Sequence, residues 1–225
     1  MPRSTAALSC REIPTVNKLS LRWLNDLLSF ETHMASTRSV AEKLCLTCGL
    51  CCNGVIFADV QLQRGDDAAR LKTLGLQLSS LPGRADAQRV SARDQRPFLQ
   101  KKFNQPCVAF DGFRCRIYED RPKYCHSFDC ALLKSVNLGK VKPSDALGLI
   151  EKARCRAEKV RQLLRKIGDK DEHVALSLRF RRTARRIQQS DVDPQTGDLF
   201  SQLTLAVQDL NFLLSESFYP GASQG

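Results

Sequence analysis

Hydrophobic positions recur through the second half of the chain at helical spacing. Ala146, Leu149/Ile150, Ala153, Ala157, Val160, Leu164 and Ile167 form one stripe. Leu176, Phe180, Thr183/Ala184 and Ile187 form a second, and Leu199, Leu203, Ala206/Val207, Leu210 and Leu213/Leu214 a third. Residues three or four apart share a helix face, so each stripe predicts an amphipathic helix with one buried side. Gly168 and the Asp191–Gly197 segment separate the three, and Asp193-Pro194 opens the last. Three such helices joined by short loops predict a small antiparallel bundle over residues 140–220.

The first 135 residues lack that regularity. Leu19, Leu21, Trp23, Leu24, Leu27, Leu28 and Phe30 suggest a short amphipathic helix in an N-terminal lead-in, residues 1–40, and Thr32–Ser39 is a polar linker. Residues 41–135 predict mixed structure. The run from Val55 to Leu62 alternates and is β-branched, which predicts a strand. Asp66-Asp67 can cap a helix through Leu71 and Leu74 that Gly75 closes. Residues 79–106, with Pro82-Gly83 and Pro97, predict loop with short strands. Asp111-Gly112 marks a hairpin. A two-residue loop would set Cys107 opposite Arg116. A three-residue loop pairs Ala109 with Phe113 and sets Cys107 opposite Cys115, the easier geometry if both bind one metal. Arg121-Pro122 restarts a helix. The fold class is therefore α+β: a small cysteine-rich domain with short strands and helices, followed by a C-terminal α-helical bundle.

Composition narrows the class. An apolar fraction of 42% is that of a globular chain, and no apolar run approaches the roughly 20 residues that span a bilayer. The N-terminus has no hydrophobic stretch of signal-peptide length. A cytoplasmic location, no membrane and few disulfides are expected. The net charge of +11 is unevenly placed. Residues 140–190 hold 15 Lys/Arg against 6 Asp/Glu, and residues 191–225 hold no Lys or Arg and 5 Asp/Glu. Two solvated, partly self-neutralising helix faces are the plainer reading, and a protein partner could use them. A nucleic-acid surface is the sharper one, but it calls for aromatic or Gly-rich segments between the basic residues, and only Phe180 is available.

The chemistry lies in the cysteines. Eight of ten fall in two clusters: Cys45-x2-Cys48-Gly49-x-Cys51-Cys52, and Cys107-x7-Cys115-x9-Cys125-x4-Cys130. Two cysteines separated by two residues and followed by Gly can present both sulfurs to one metal, as knuckles do. Cys51 extends this to C-x2-C-x2-C, the first three ligand positions of a bacterial ferredoxin run, whose fourth position falls on Val55. Cys45, Cys48, Cys51, Cys52, Cys107, Cys115, Cys125 and Cys130 are the candidate ligands, for zinc or iron, the latter as an iron–sulfur cluster among other forms. Cys51 and Cys52 are adjacent and diverge, so they suit two metals, or one ligand and one supporting role. Two Cys₄ sites, one binuclear site, or one site with spare thiols are all compatible with the spacing. His126 reads as a surface or supporting imidazole, Asp120 and Asp129 as capping or solvated carboxylates. Cys155 reads as an exposed free thiol and Cys10 as part of a frayed end. There is no Ser–His–Asp set, phosphate-cradling Gly loop or dinucleotide fingerprint, so catalytic residues are unassigned.

The motif Cys45-Leu-Thr-Cys48-Gly49-Leu-Cys51-Cys52, the segment Gln105-Pro106-Cys107-Val-Ala-Phe, and Cys115-Arg-Ile117-Tyr118-Glu119-Asp-Arg121-Pro122-Lys-Tyr-Cys125-His-Ser-Phe128 together resemble the bacterial cysteine-cluster family (CxxCxxCC, YkgJ-type) of zinc- or iron-chelating proteins. The resemblance covers residues 41–133 and implies metal chelation in a bacterial cytosol. The family often has Arg where this chain has His126. Similar cysteine motifs occur in flagellin lysine methylases, which makes an iron–sulfur-dependent redox or peptide-modifying, methyl-transfer-like enzyme the alternative. A zinc-dependent nucleic-acid-binding protein is the second alternative. Arg121 has two readings: a guanidinium offsetting thiolate charge through hydrogen bonds to sulfur or a backbone carbonyl, or a surface ion pair with Glu119 or Asp120.

Overall fold

The computed structural model describes residues 38–80, 101–112, 114–189, 191 and 193–219. The helix expected at residues 19–30, most of the 32–39 linker and the Pro82–Pro97 stretch lie outside them. The chain divides into two units, Met1–Ser39 and Val40–Gly225, and the second carries all the elements described. In chain order these are α1 (Val40–Cys48), β1 (Asp59–Gln61), α2 (Ala68–Thr73), β2 (Ser79–Ser80), β3 (Lys101–Asn104), α3 (Lys123–Ser127), α4 (Ala131–Asn137), α5 (Pro143–Lys166), α6 (Leu176–Gln188) and α7 (Pro194–Ser217).

The three long helices follow the three stripes. Helix α5 buries Ala146, Ile150, Ala153, Ala157, Val160, Leu163 and Leu164, and α7 buries Leu203, Leu210, Leu213 and Leu214 against them. The alanines leave room for α7 to lie close along α5. Asp193 caps α7, accepting from the Thr196 N–H at 3.0 Å and from its hydroxyl at 2.7 Å. Phe180 of α6 stacks on Phe200 of α7, ring centroids 6.2 Å apart. Among the described residues no helix is long and apolar enough to cross a membrane.

Helix α6 departs from its expected stripe in one respect: Arg179 is only 1% exposed. Its Nε donates to Asp169 Oδ1 at 3.0 Å and a terminal nitrogen donates to the Asp169 carbonyl at 2.9 Å. The half-exposed Arg182 reaches Asp169 Oδ2 at 2.8 Å. Burial pushes the Asp169 carboxyl up, but hydrogen bonds from Arg182 and Arg179 outweigh it and hold it below its ordinary value.

The same core runs on into the first cysteine cluster. Ala41, Leu44, Leu50, Val55, Cys130, Leu132 and Leu133 belong to it together with α5 and α7. A second core lies under the sheet and consists of Val60, Leu62, Leu71, Leu76, Phe103, Ala109 and Ile117. The sheet has order β1-β3-β2, all antiparallel, with Val60 opposite Phe103. The strand expected over Val55–Leu62 shortens to three residues. The Val55 and Ile56 N–H groups both donate to the Leu50 carbonyl, at 3.2 and 3.1 Å, so this part of the run closes a turn and is lost to the ladder. Helix α2 is capped by Asp67, which accepts from the Arg70 N–H at 2.9 Å, and Gly75 follows at φ +95°. Asp66 does not cap α2 but accepts from the Lys123 N–H at 2.9 Å, and so fixes the start of α3.

Removing one partner of a buried ion pair strands the other charge. Arg179→Leu is expected to cost about 3–5 kcal/mol of unfolding free energy, and Arg182→Ala, at a half-exposed site, about 1 kcal/mol or less. Denaturant titration of both variants checks this; equal losses would show that the buried pair is not special.

Candidate metal centre

Helix α1 carries Cys45 and Cys48 on its last turn, three residues apart and hence on one face. The knuckle-like Cys45-x2-Cys48-Gly49 spacing is thus carried by a helix end. Gly49, at φ +63°, closes it in the left-handed conformation. A Cβ there would also lie 2.5 Å from Cζ of Phe110, so glycine lets the ring of the second cluster's hairpin rest on the backbone of the first. The chain then turns: the Cys52 and Asn53 N–H groups donate to the Gly49 carbonyl at 3.0 and 2.9 Å. Cys51 and Cys52 sit on this turn. The Cys107 N–H donates to the Cys52 carbonyl at 2.8 Å, which joins the two clusters directly. The Gln105-Pro106 bond that leads into Cys107 is cis.

The hairpin differs from both loops considered. Phe110 bridges Cys115, with Arg116 N–H to Ala109 carbonyl at 2.8 Å and Asp111 N–H to Arg114 carbonyl at 3.2 Å. The loop therefore has four residues, Asp111–Arg114, and Phe110 rather than Cys107 stands opposite Cys115. The Asp111 carboxylate accepts from the Arg114 N–H at 2.8 Å, and this side-chain turn stabilises the wider loop. Cys107 and Cys115 still pack against the same core, and the Phe110 N–H donates to the Cys107 carbonyl at 2.9 Å and curls residues 107–110 into a turn. Cys125 lies in α3, and Cys130 is the N-cap residue of α4.

All eight clustered cysteines are free thiols, Cys130 buried and the others half-buried. Cys45, Cys51, Cys52, Cys115 and Cys125 line one cavity of about 60 Å³. Its outer wall is aromatic: Phe57 meets Phe128 and Tyr124 edge-on, at 4.9 and 5.6 Å between ring centroids. Among the described residues, no three His, Cys, Asp or Glu side chains are grouped as they stand into a set that could hold an ion. The sulfurs are neighbours around a shared space, short of a formed coordination shell. His126 and Asp129 are exposed, as expected. Cys155 corrects an expectation twice: it is half-buried, and it is disulfide-bonded instead of free. Cys10 lies outside the described residues.

Burial governs the thiols. It pushes all eight above their ordinary value of 9.0, Cys48 and Cys125 up to about 12, and neighbouring thiols add to the rise of Cys45, Cys48, Cys51, Cys52, Cys107 and Cys125. Three arginines act in the opposite direction: Arg121 on Cys45, Cys115 and Cys125, Arg154 on Cys48, and Arg116 on Cys107 and Cys115. Each is pinned by a backbone carbonyl close to a cysteine. Arg121 Nε donates to Tyr118 at 2.8 Å and its guanidinium lies 3.6 Å from the Tyr118 ring centroid. Arg154 donates to Thr47 at 3.0 Å and Arg116 to Val108 at 2.7 Å. For Arg121 the structure shows the carbonyl contact, Nε to Tyr118, and its charge lowers the cost of ionising Cys45, while Asp120 faces Arg70 at 3.7 Å.

Sequence reasoning missed Arg116, Arg154 and Gln105. Arg154 and Arg161 are two helical turns apart on α5 and both donate to carbonyls of the first cluster, Arg161 to Asn53 at 3.4 Å. A row of basic residues at that spacing was visible, but not what it would face. Gln105 is 4% exposed, borders the cavity, and its Oε1 has no hydrogen-bond partner among the described residues. Its place in the Gln105-Pro106-Cys107 segment was the available signal.

Residues 44–156, half of the chain, match the model of a family described as CxxCxxCC, "Putative zinc- or iron-chelating domain". The chain belongs to the CxxCxxCC family. The match takes in all eight clustered cysteines and extends into α5, beyond the segment that carried the resemblance. No curated protein and no solved structure matches the chain. The CxxCxxCC residues here suit a thiophilic ion in their chemistry: eight unbridged sulfur donors, fixed guanidinium groups beside them, and a buried acceptor without a donor.

Two outcomes follow. The folded protein keeps thiol protons that the unfolded chain releases near pH 9, so the stability of metal-free protein falls as pH rises. Thermal melts of chelator-treated protein from about pH 8 to about pH 10 are expected to show a falling Tm; a constant or rising Tm would contradict the burial of the thiols. Arg121→Ala is expected to weaken zinc or iron affinity roughly 10–100-fold in competition with a chromophoric chelator. Unchanged affinity would reduce Arg121 to a structural clamp.

Proposed function

We propose that this chain is a resident metal-binding protein that holds zinc or iron through its clustered cysteines. The observation that carries the reading is that two distant cysteine clusters, all eight thiols unbridged, meet at one cavity that five of them line, Cys45, Cys51 and Cys52 from the first and Cys115 and Cys125 from the second. A bound ion supplies the positive charge that lets buried sulfurs ionise. The chain's own part is to orient and shield. Helix α1 and the Gly49–Asn53 turn aim one set of sulfurs, the hairpin and α3 the other, and the aromatic wall limits water. Arg116, Arg121 and Arg154 take up part of the negative charge that thiolates would bring. A reducing compartment such as the cytoplasm would keep them available.

We rank binding above catalysis on size. A cavity of about 60 Å³ matches ions or about two waters, whereas pockets for organic ligands run to roughly 300–1,000 Å³. The nucleic-acid reading ranks lower because much of the basic charge is engaged within the chain. Arg156 pairs with Asp209 at 3.0 Å, Arg165 with Glu158 and Glu172, and Arg182 with Asp169 and Asp171.

Metal analysis of anaerobically purified protein is expected to return zinc or iron, with iron accompanied by acid-labile sulfide if a cluster is present. A structural zinc site contributes about 10–16 kcal/mol of apparent binding energy, comparable to a whole domain's stability of about 5–15 kcal/mol. Chelation should therefore weaken the near-UV circular dichroism and lower the Tm well below that of the metal-loaded protein, while leaving a folded metal-free form. Metal-free isolation with that signal intact would overturn the proposal.

A further inference from the structure

We infer that the eight cysteines are divided between two centres, Cys45, Cys48, Cys51 and Cys130 in one, and Cys52, Cys107, Cys115 and Cys125 in the other. This rests on the metal-binding reading and settles what the spacing left open between one site and two.

The two apolar cores sort the sulfurs. Cys130 is part of the core built on α5 and α7, and Cys45 and Cys48 pack against that core. Cys107, Cys115 and Cys125 pack against the other, under the sheet. That leaves Cys51 and Cys52, neighbours whose side chains diverge. The Cys107 N–H bond to the Cys52 carbonyl holds Cys52 on the hairpin side. Cys51, its neighbour on the same turn, is then left to the group carried by α1, whose last turn the Gly49 N–H to Cys45 carbonyl bond ties to this turn. Each group thus receives a fourth sulfur from the same turn, and each has four thiols, the usual complement of a structural zinc or iron site.

The arginines divide in the same way. Arg154 stands over the first group, through Thr47, and Arg116 over the second, through Val108. Arg121 lines the cavity that sulfurs of both groups border, Cys45 and Cys51 of the first and Cys52, Cys115 and Cys125 of the second. Two ions there would concentrate thiolate charge, and a guanidinium beside them offsets part of it.

Anaerobic cobalt titration of the full chain, followed by thiolate-to-cobalt charge-transfer absorption and by native mass spectrometry, tests the division. The wild type is expected to take up two ions. Cys48→Ala should reduce this to one, Cys107→Ala should also reduce it to one, and the double variant should bind none. One ion in the wild type, lost in either variant, would overturn the division and leave the metal-binding reading intact. No ion in the wild type would overturn both. Two ions lost together in each single variant would show a shared, thiolate-bridged centre and likewise overturn it. Should a variant fail to fold, cadmium NMR of the wild type decides: two uncoupled tetrathiolate resonances support the division, and one resonance or a coupled pair rejects it.

Discussion

A thiol loses much of its ability to ionise when it leaves water, and this chain withdraws eight of them without bridging any. Their pKa values rise through burial and through one another. Everything near them can be understood as a response to that constraint. The apolar cores hold the sulfurs in place and raise the cost of charge. The fixed guanidinium groups lower it again, and a soft divalent ion would lower it most. The site is thus a set of donors whose charged state depends on what enters.

The bond between the Cys107 N–H and the Cys52 carbonyl makes the constraint possible. It ties the turn after α1 to the start of the hairpin. Gly49 supports the same junction, because its bare backbone accepts the Phe110 ring. Gly54 does so one turn later: a Cβ there would lie 3.3 Å from Pro106 and 3.1 Å from the Ala175 backbone. Such close approaches leave little freedom in how the two clusters meet.

Helix α5 links the site to the bundle. One face joins α7 in the main core, and the edge beside it presents Arg154 and Arg161 to the carbonyls of the first cluster. Burial pushes the Arg161 guanidinium below its ordinary value, against the pull of Glu158 and Glu172. The bundle is therefore more than a neighbour of the cysteine region: it shares its core and supplies two of its clamps. The family match, which ends at residue 156, takes in Arg154 and the first half of α5.

Periodicity by itself determined the three long helices, their buried stripes and the Asp193 cap, since spacing of 3.6 residues and a capping carboxylate are local properties. It also determined the Asp67–Gly75 helix and the cysteines as the chemistry-bearing residues. Local signals failed wherever a distant segment set the outcome. The Val55 run became a turn because Leu50 offered its carbonyl, and the hairpin widened because Asp111 bonded its own loop. Arg179, one of the basic residues of the 140–190 stretch, is buried against Asp169. Which sulfurs are neighbours, which arginines face them and where Gln105 points are relations between residues far apart in sequence. Only the packing of two cores around one turn could decide them, because burial and Coulomb interaction depend on distance in space and not on position along the chain.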